Sequence, residues 1–174
     1  MKYLLLNQAS ERLQFRPITT IDWDSWLPFF KSPAAMKHWP MGNLTTEEYA
    51  KQWYKKQQVR YEKGWGGMNA LIEKKSGKLV GHAGLLTQKI EGKVELEVAY
   101  SLLPQHWKKG YATEAALKCK EVAFQQKYAA RLIAIIAQSN ENSIAVALRV
   151  GFSFEKSIQF QGINANIFSL AADL

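Results

Sequence analysis

The stretch that most restricts what this chain can fold into is Leu103–Ala116, Leu-Pro-Gln-His-Trp-Lys-Lys-Gly-Tyr-Ala-Thr-Glu-Ala-Ala. It follows an alternating, strand-like run from Val94 to Leu102. It leads into a helical pattern that starts near Tyr111 and continues to about Lys127. A strand, a short basic loop with a glycine, and a helix start together form a grip for an anion. The first amides of a helix have no intrahelical acceptor, and the helix dipole places partial positive charge there. Gly110 lets backbone approach a ligand closely, and Lys108 and Lys109 add full charge. The expected ligand group is a phosphate, in particular a pyrophosphate.

The rest of the chain alternates between two periodicities. Arg12–Ile18 reads as a first strand, with Pro17 near its end. Asp22 is expected to cap a helix with Trp23, Trp26, Leu27 and Phe30 at helical spacing, kinked or shortened by Pro28. Lys31–Asn43 reads as a connection with at most one helical turn. Thr45-Thr46-Glu47-Glu48 is a capping box opening a helix that runs to about Lys63 and stops at Gly64. Three strands follow, Gly66–Glu73, Leu79–Ile90 and Val94–Leu102. They are joined by turns at Lys75–Lys78 and Glu91-Gly92, which makes an antiparallel meander. Gly81 and Gly84 mark close approach or a bulge. Arg131–Ala137 is almost wholly apolar, as for a strand covered on both faces. Asn140 caps a helix from Glu141 to Val150, ended by Gly151. Phe152–Phe160 and Ala165–Leu170 form a hairpin around Gln161-Gly162.

Length favours one domain spanning residues 1–174. The expected class is α/β, a mixed sheet of six to seven strands with an antiparallel N-terminal meander and about four helices. Ligands bind such sheets where the connections switch. Cys119 is the only cysteine, so no internal disulfide forms and a cytoplasmic setting is expected. No apolar run is long enough for a membrane span. The net charge of +8 comes from lysines scattered along the chain. That dispersion fits an anionic ligand better than the clustered footprint of a nucleic-acid binder.

Five stretches resemble the GNAT superfamily of acyl-CoA N-acyltransferases, and within it the branch of RimJ/RimL-type ribosomal-protein N-terminal acetyltransferases. They are Glu11–Pro17, Val80–Leu85, Glu97–Leu102, Trp107–Ala115, and Asn140–Ser143 followed by Gly151-Phe152. The resemblance runs from residue 11 to about 155 and implies a GNAT fold. It also implies acetyl-CoA as co-substrate and direct transfer of acetyl to a primary amine, on a protein N-terminus or a small molecule. Trp107 stands where the general family pattern has Gln or Arg, a replacement common in this branch. By this resemblance Lys108, Lys109, Gly110, Tyr111 and Ala112, with the helix start at Thr113, hold the CoA pyrophosphate. Ser101, Leu102 and Leu103 pair through their backbone with the pantetheine arm at a splay between the fourth and fifth strands. Asn140 and Ser143 lie near the thiol end.

Acetyl transfer to an amine needs a neutral amine, a polarised carbonyl and a stabilised thiolate. Strand alternation places Glu95, Glu97 and Ala99 on one face. The resemblance aligns Glu97 with the family's frequent base position, with Glu95 a weaker candidate. The hydroxyl that many members carry four residues before the closing glycine is absent, because Ala147 stands there. Ser143 is the candidate hydrogen-bond donor to the thiolate, the alternative being that the thiolate leaves and takes a proton from water, and a backbone amide in Val98–Tyr100 is the candidate for the carbonyl oxygen. His82 reads as a structural residue and Cys119 as a small core residue. No motif suggests a metal or an acyl-enzyme. Trp39, Trp53 and Trp65 are candidate shapers of acceptor specificity. The alternative function is a non-catalytic GNAT fold that binds CoA or nucleic acid. A monomer or homodimer with no membrane partner completes the expectation.

Overall fold

Two tight turns set the sheet's register. Glu91-Gly92 has φ values of 48° and 83°, and Gln161-Gly162 repeats the same pair. Two successive positive φ values match the right-handed twist of flanking strands, so each dipeptide closes a hairpin. The computed structural model describes residues 2–40 and 42–172. Its strands are β1 (Leu13–Pro17), β2 (Gly66–Glu73), β3 (Leu79–Ile90), β4 (Lys93–Leu102), β5 (Arg131–Ala137), β6 (Ser153–Phe160) and β7 (Ile163–Ala171). They form one sheet in the order β1-β2-β3-β4-β5-β7-β6.

β1 to β4 are antiparallel neighbours. β4 and β5 are parallel and share a single registered pair, Glu97 with Ile133. Beyond that pair toward Leu102 no further β5 residue is in register, so the sheet splits there. β3 and β4 stay close on the other side of the split because of Gly81. A Cβ at that position would lie 2.4 Å from the carbonyl oxygen of Ser101.

The helices are α1 (Trp23–Lys31), α2 (Pro33–Met36), α3 (Thr46–Lys63), α4 (Tyr111–Gln125) and α5 (Glu141–Val150). α2 is the single turn allowed for in Lys31–Asn43, and it makes the described helices five rather than about four. α4 and α5 cover one face of the sheet, where Ala115, Cys119 and Ala123 meet Phe15, Leu85 and Val98. α1 to α3 cover the other, where Trp26, Phe30 and Trp53 meet Met68, Ala70 and Leu86. The amphipathic spacing of the helices and the two-residue alternation of the strands generate both layers.

Local expectations hold with two adjustments. Thr45 and Glu48 form the reciprocal capping box of α3, and Gly64 ends the helix at φ 65°. Asp22 occupies the cap position of α1, but its carboxylate does not cap. It accepts from the Arg16 guanidinium at 2.5 and 2.8 Å and from the Thr19 amide at 2.9 Å. A charged donor outcompetes a helix amide for the same oxygens. α4 ends at Gln125 because Lys127 takes φ 52°. Pro28 is accommodated in α1 because Pro28 and Asp24, whose carbonyl loses its donor, are both exposed to water.

Candidate active site

The anion loop is built from its backbone outward. Lys108 and Gly110 both have positive φ, 60° and 83°. The first helical bond of α4 runs from the Glu114 amide to the Gly110 carbonyl. Tyr111, Ala112 and Thr113 therefore present amides with no intrahelical acceptor. Lys108, Lys109 and Gly110 are exposed.

Side chains behind the loop fix its shape. Arg12 donates from Nη1 to the Lys109 carbonyl at 2.9 Å and from Nε to Glu114 at 2.7 Å. Glu114 also accepts from the Arg12 amide and the Ser10 hydroxyl, at 2.7 and 2.6 Å. The Arg12 guanidinium lies 4.4 Å from the centre of the Tyr111 ring, and the Tyr111 hydroxyl donates to Glu73. These hydrogen bonds hold the Glu114 carboxyl below its ordinary pKa, although partial burial pushes it up. The Trp107 indole donates to the Leu102 carbonyl at 2.8 Å and packs between both core layers. Its side chain pins the end of β4 rather than facing the loop's outer surface.

Among Ser101, Leu102 and Leu103, the structure separates one from the others. The Leu102 carbonyl is taken by Trp107, and the Leu103 amide donates to the Val80 carbonyl at 3.0 Å. The side chains of Leu102 and Leu103 are buried. Ser101 lines the opening at the β4–β5 split.

That split opens into a cleft of about 690 Å³. It brings together Glu97, Ser101, Asn140 and Ser143, while Lys108 to Thr113 lie beyond its lining. Asn140 caps α5, its Oδ1 accepting from the Ser143 amide at 3.2 Å. The Ser143 carbonyl accepts from the Tyr100 hydroxyl at 2.8 Å. Tyr100, which sequence reasoning left on the apolar face of β4, thus ties that strand to the start of α5 across the split.

Glu97 is 7% exposed. Its Oε2 accepts from Gln88 Nε2 at 2.6 Å. Burial raises its pKa, opposed by the Gln88 hydrogen bond, the positive charges of Arg60 and Lys56, and the Ile135 amide. A carboxyl raised in this way titrates closer to neutrality than a solvated one, as a base for an ammonium requires. Glu95 takes a different path: its Oε2 lies 3.2 Å from Nε of Arg131 on β5, outside the cleft lining. The two carboxylates share a strand face, but only one of them reaches the cavity.

Gln88 is itself held. Arg60 donates from Nη2 to Gln88 Oε1 at 3.4 Å, and from Nη1 to the carbonyls of Thr87 and Trp65 at 3.1 and 3.3 Å. Sequence reasoning missed Arg60, Gln88 and Lys56. Arg60 and Lys56 have the i, i+4 spacing of one helix face, but nothing in the sequence alone shows which strand that face meets. Trp39, Tyr49 and Trp53 wall the cleft, and Trp65 lines a smaller groove beside it.

The remaining candidates are structural in their setting. His82 is fully buried, its ring 4.2 Å from Trp26 and 5.1 Å from Trp53. Desolvation pushes its pKa down to about 3, which keeps it neutral, and it does not line the cleft. Cys119 is fully buried under α4, and burial pushes its thiol up to about 12. A thiol in that state is inert as a nucleophile. Among the described residues no helix is long and apolar enough to cross a membrane.

The sequence profile of the acetyltransferase (GNAT) domain matches residues 12–153. The chain belongs to the GNAT acetyltransferases. As a GNAT acetyltransferase it is an acyltransferase, and the loop and Glu97, Ser101, Asn140 and Ser143 of the cleft sit within the matched span. It is similar to the uncharacterized protein YkkB of Bacillus subtilis, 31% identical over 131 residues, covering 75% of this chain and 74% of that one. Its fold is similar to an acetyltransferase of Agrobacterium tumefaciens, with a TM-score of 0.81 and 19% identity over 99% of this chain and 98% of that one. It is also similar to Mycobacterium smegmatis RimJ in complex with CoA-disulfide. That match has a TM-score of 0.76 and 17% identity over 92% of this chain and 82% of RimJ.

Proposed function

We propose that this GNAT acetyltransferase moves the acetyl group of acetyl-CoA directly to a primary amine, on a protein N-terminus or a small molecule, with Glu97 as the base. The observation that carries this reading is Glu97 itself, buried at the wall of a cleft that opens where β4 parts from β5. The residues fit the donor. The loop offers helix-start amides, two lysines and a glycine at φ 83°, which suits a pyrophosphate. The split exposes an unpaired edge of β4 at Ser101 for an extended amide-bearing arm. RimJ, which shares the fold, is a CoA-bound protein, in keeping with that assignment. Acetyl-CoA supplies a thioester carbonyl open to attack by nitrogen.

The chain's own residues then divide the work. Glu97 takes the proton from the ammonium, directly or through a water, so that nitrogen gains a lone pair. Gln88 holds one carboxylate oxygen in place. A backbone amide of Val98–Tyr100 on the edge facing β5 stabilises the carbonyl oxygen as it gains charge. The Ser143 hydroxyl donates to the leaving sulfur, braced by the Asn140 and Tyr100 hydrogen bonds to its backbone. The C–N bond forms as the C–S bond breaks, the nitrogen sheds its second proton as the thiolate takes one up, and the products are the amide and free CoA thiol, with no group on the protein acylated.

Thiol release from acetyl-CoA over a panel of amines tests the reading. Acceptor-dependent release with acetylated amine as product supports it. Intact acetyl-CoA binding with no turnover on any amine leaves a binding module instead.

A further inference from the structure

The cleft is one-sided in charge. Among the described residues Glu97 is the only carboxylate that lines it, while Lys56 and Arg60 both do. Arg60 is committed, its guanidinium spread over two backbone carbonyls and Gln88. Lys56, one helical turn earlier on α3, makes no hydrogen bond or ion pair with the described residues. It is nonetheless close enough for its charge to act on Glu97. His38, at the opposite rim, is turned toward Ser139 at 3.0 Å and is held toward its neutral form by burial and by Lys37. Beside the cleft a shallower groove of about 340 Å³ continues along α3, sharing Lys56 and Arg60 and adding Lys55 and Trp65.

We infer that the acceptor is an amine that carries an anionic group, a carboxylate or a phosphate, which Lys56 holds while Glu97 receives the amine. The inference deepens the amine-acetylation reading and rests on it. A polycationic acceptor needs a second carboxylate for its second ammonium, and here that ammonium meets Lys56 and Lys55. An anionic substituent instead gains a charge-assisted hydrogen bond from a lysine with no competing partner. Trp39, Tyr49 and Trp53 then cover the apolar part between the two charges.

The test is steady-state thiol release with acceptors matched in shape and differing in one charge. One arm pairs free amino acids and short peptides with their C-terminal amides. The second pairs O-phosphoethanolamine with ethanolamine. Each is measured on the wild type, Lys56→Gln and Lys56→Glu. Dividing wild type by variant for the same acceptor cancels differences in amine basicity. Lys56→Gln is expected to raise KM for the anionic member about tenfold, the worth of one charge-assisted hydrogen bond, with kcat little changed. KM for the neutral member should hold, any change in kcat from the loss of the Lys56 charge near Glu97 should be common to both members, and Lys56→Glu should reverse the preference. The arm that shows the larger loss identifies carboxylate or phosphate as the group held. Turnover with the same preference in all three proteins overturns this inference and leaves amine acetylation standing. No turnover on any amine overturns both. Lys56 is exposed, so neither variant threatens the fold, and unchanged acetyl-CoA binding confirms that each is intact.

Discussion

The two ends of the site are made differently. The loop proposed for the donor is a contiguous run of backbone, Lys108 to Thr113, clamped from behind by Arg12, Glu114 and Glu73. The cleft proposed for the acceptor is a set of side chains gathered from distant segments: Trp39, Lys56 and Arg60, Gln88 and Glu97. Backbone amides can bind one kind of group, and the CoA pyrophosphate is the same for every reaction of this type. Side chains on separate elements can change one at a time without moving the loop. On the proposed assignment, that division would let the acceptor cleft change without disturbing the donor loop.

Three substitutions test whether the ends are separable. Glu97→Gln strikes the acceptor end hardest. It is expected to lower kcat by roughly a hundredfold or more, the usual worth of a positioned base, with KM for acetyl-CoA nearly unchanged. Arg12→Ala strikes the donor end by freeing the Lys109 carbonyl and one face of Tyr111. KM for acetyl-CoA should rise about tenfold, the worth of a hydrogen bond from a charged donor, with acceptor preference unchanged. A shift in acceptor preference there would show that the two ends are coupled. Gln88→Leu is the mildest. It removes a hydrogen bond that lowers the Glu97 pKa, so that pKa rises further. The acid limb of the rate profile should move to higher pH with only a several-fold fall at the plateau, read from kcat/KM against pH. An unmoved limb would detach Gln88 from the base.

The same contrast governs what could be read in the sequence. The strands and their turns were legible because alternation, Glu91-Gly92 and Gln161-Gly162 act locally. The loop was legible for the same reason: its glycine, its lysines and its helix follow one another. Glu97 emerged through alternation on one strand together with family resemblance. Alternation alone could not separate Glu97 from Glu95, because the discriminating facts are Gln88 on one side and Arg131 on the other. Arg60, Gln88 and Lys56 were illegible because their meaning is a packing event, α3 laid against β2 and β3. Asp22 shows the converse, a correct cap position whose carboxylate is claimed by Arg16 from another element.

The most direct test of Glu97 as the base is the pH dependence of kcat/KM for one productive amine, measured on the wild type and on Glu97→Gln at saturating acetyl-CoA. A base works ionised, so the wild-type rate should rise with pH through a pKa lifted above the ordinary carboxylate value by burial. In Glu97→Gln that limb should vanish, leaving only the titration of the amine itself and a rate lower by roughly a hundredfold. A variant with the wild-type profile and rate would contradict the account.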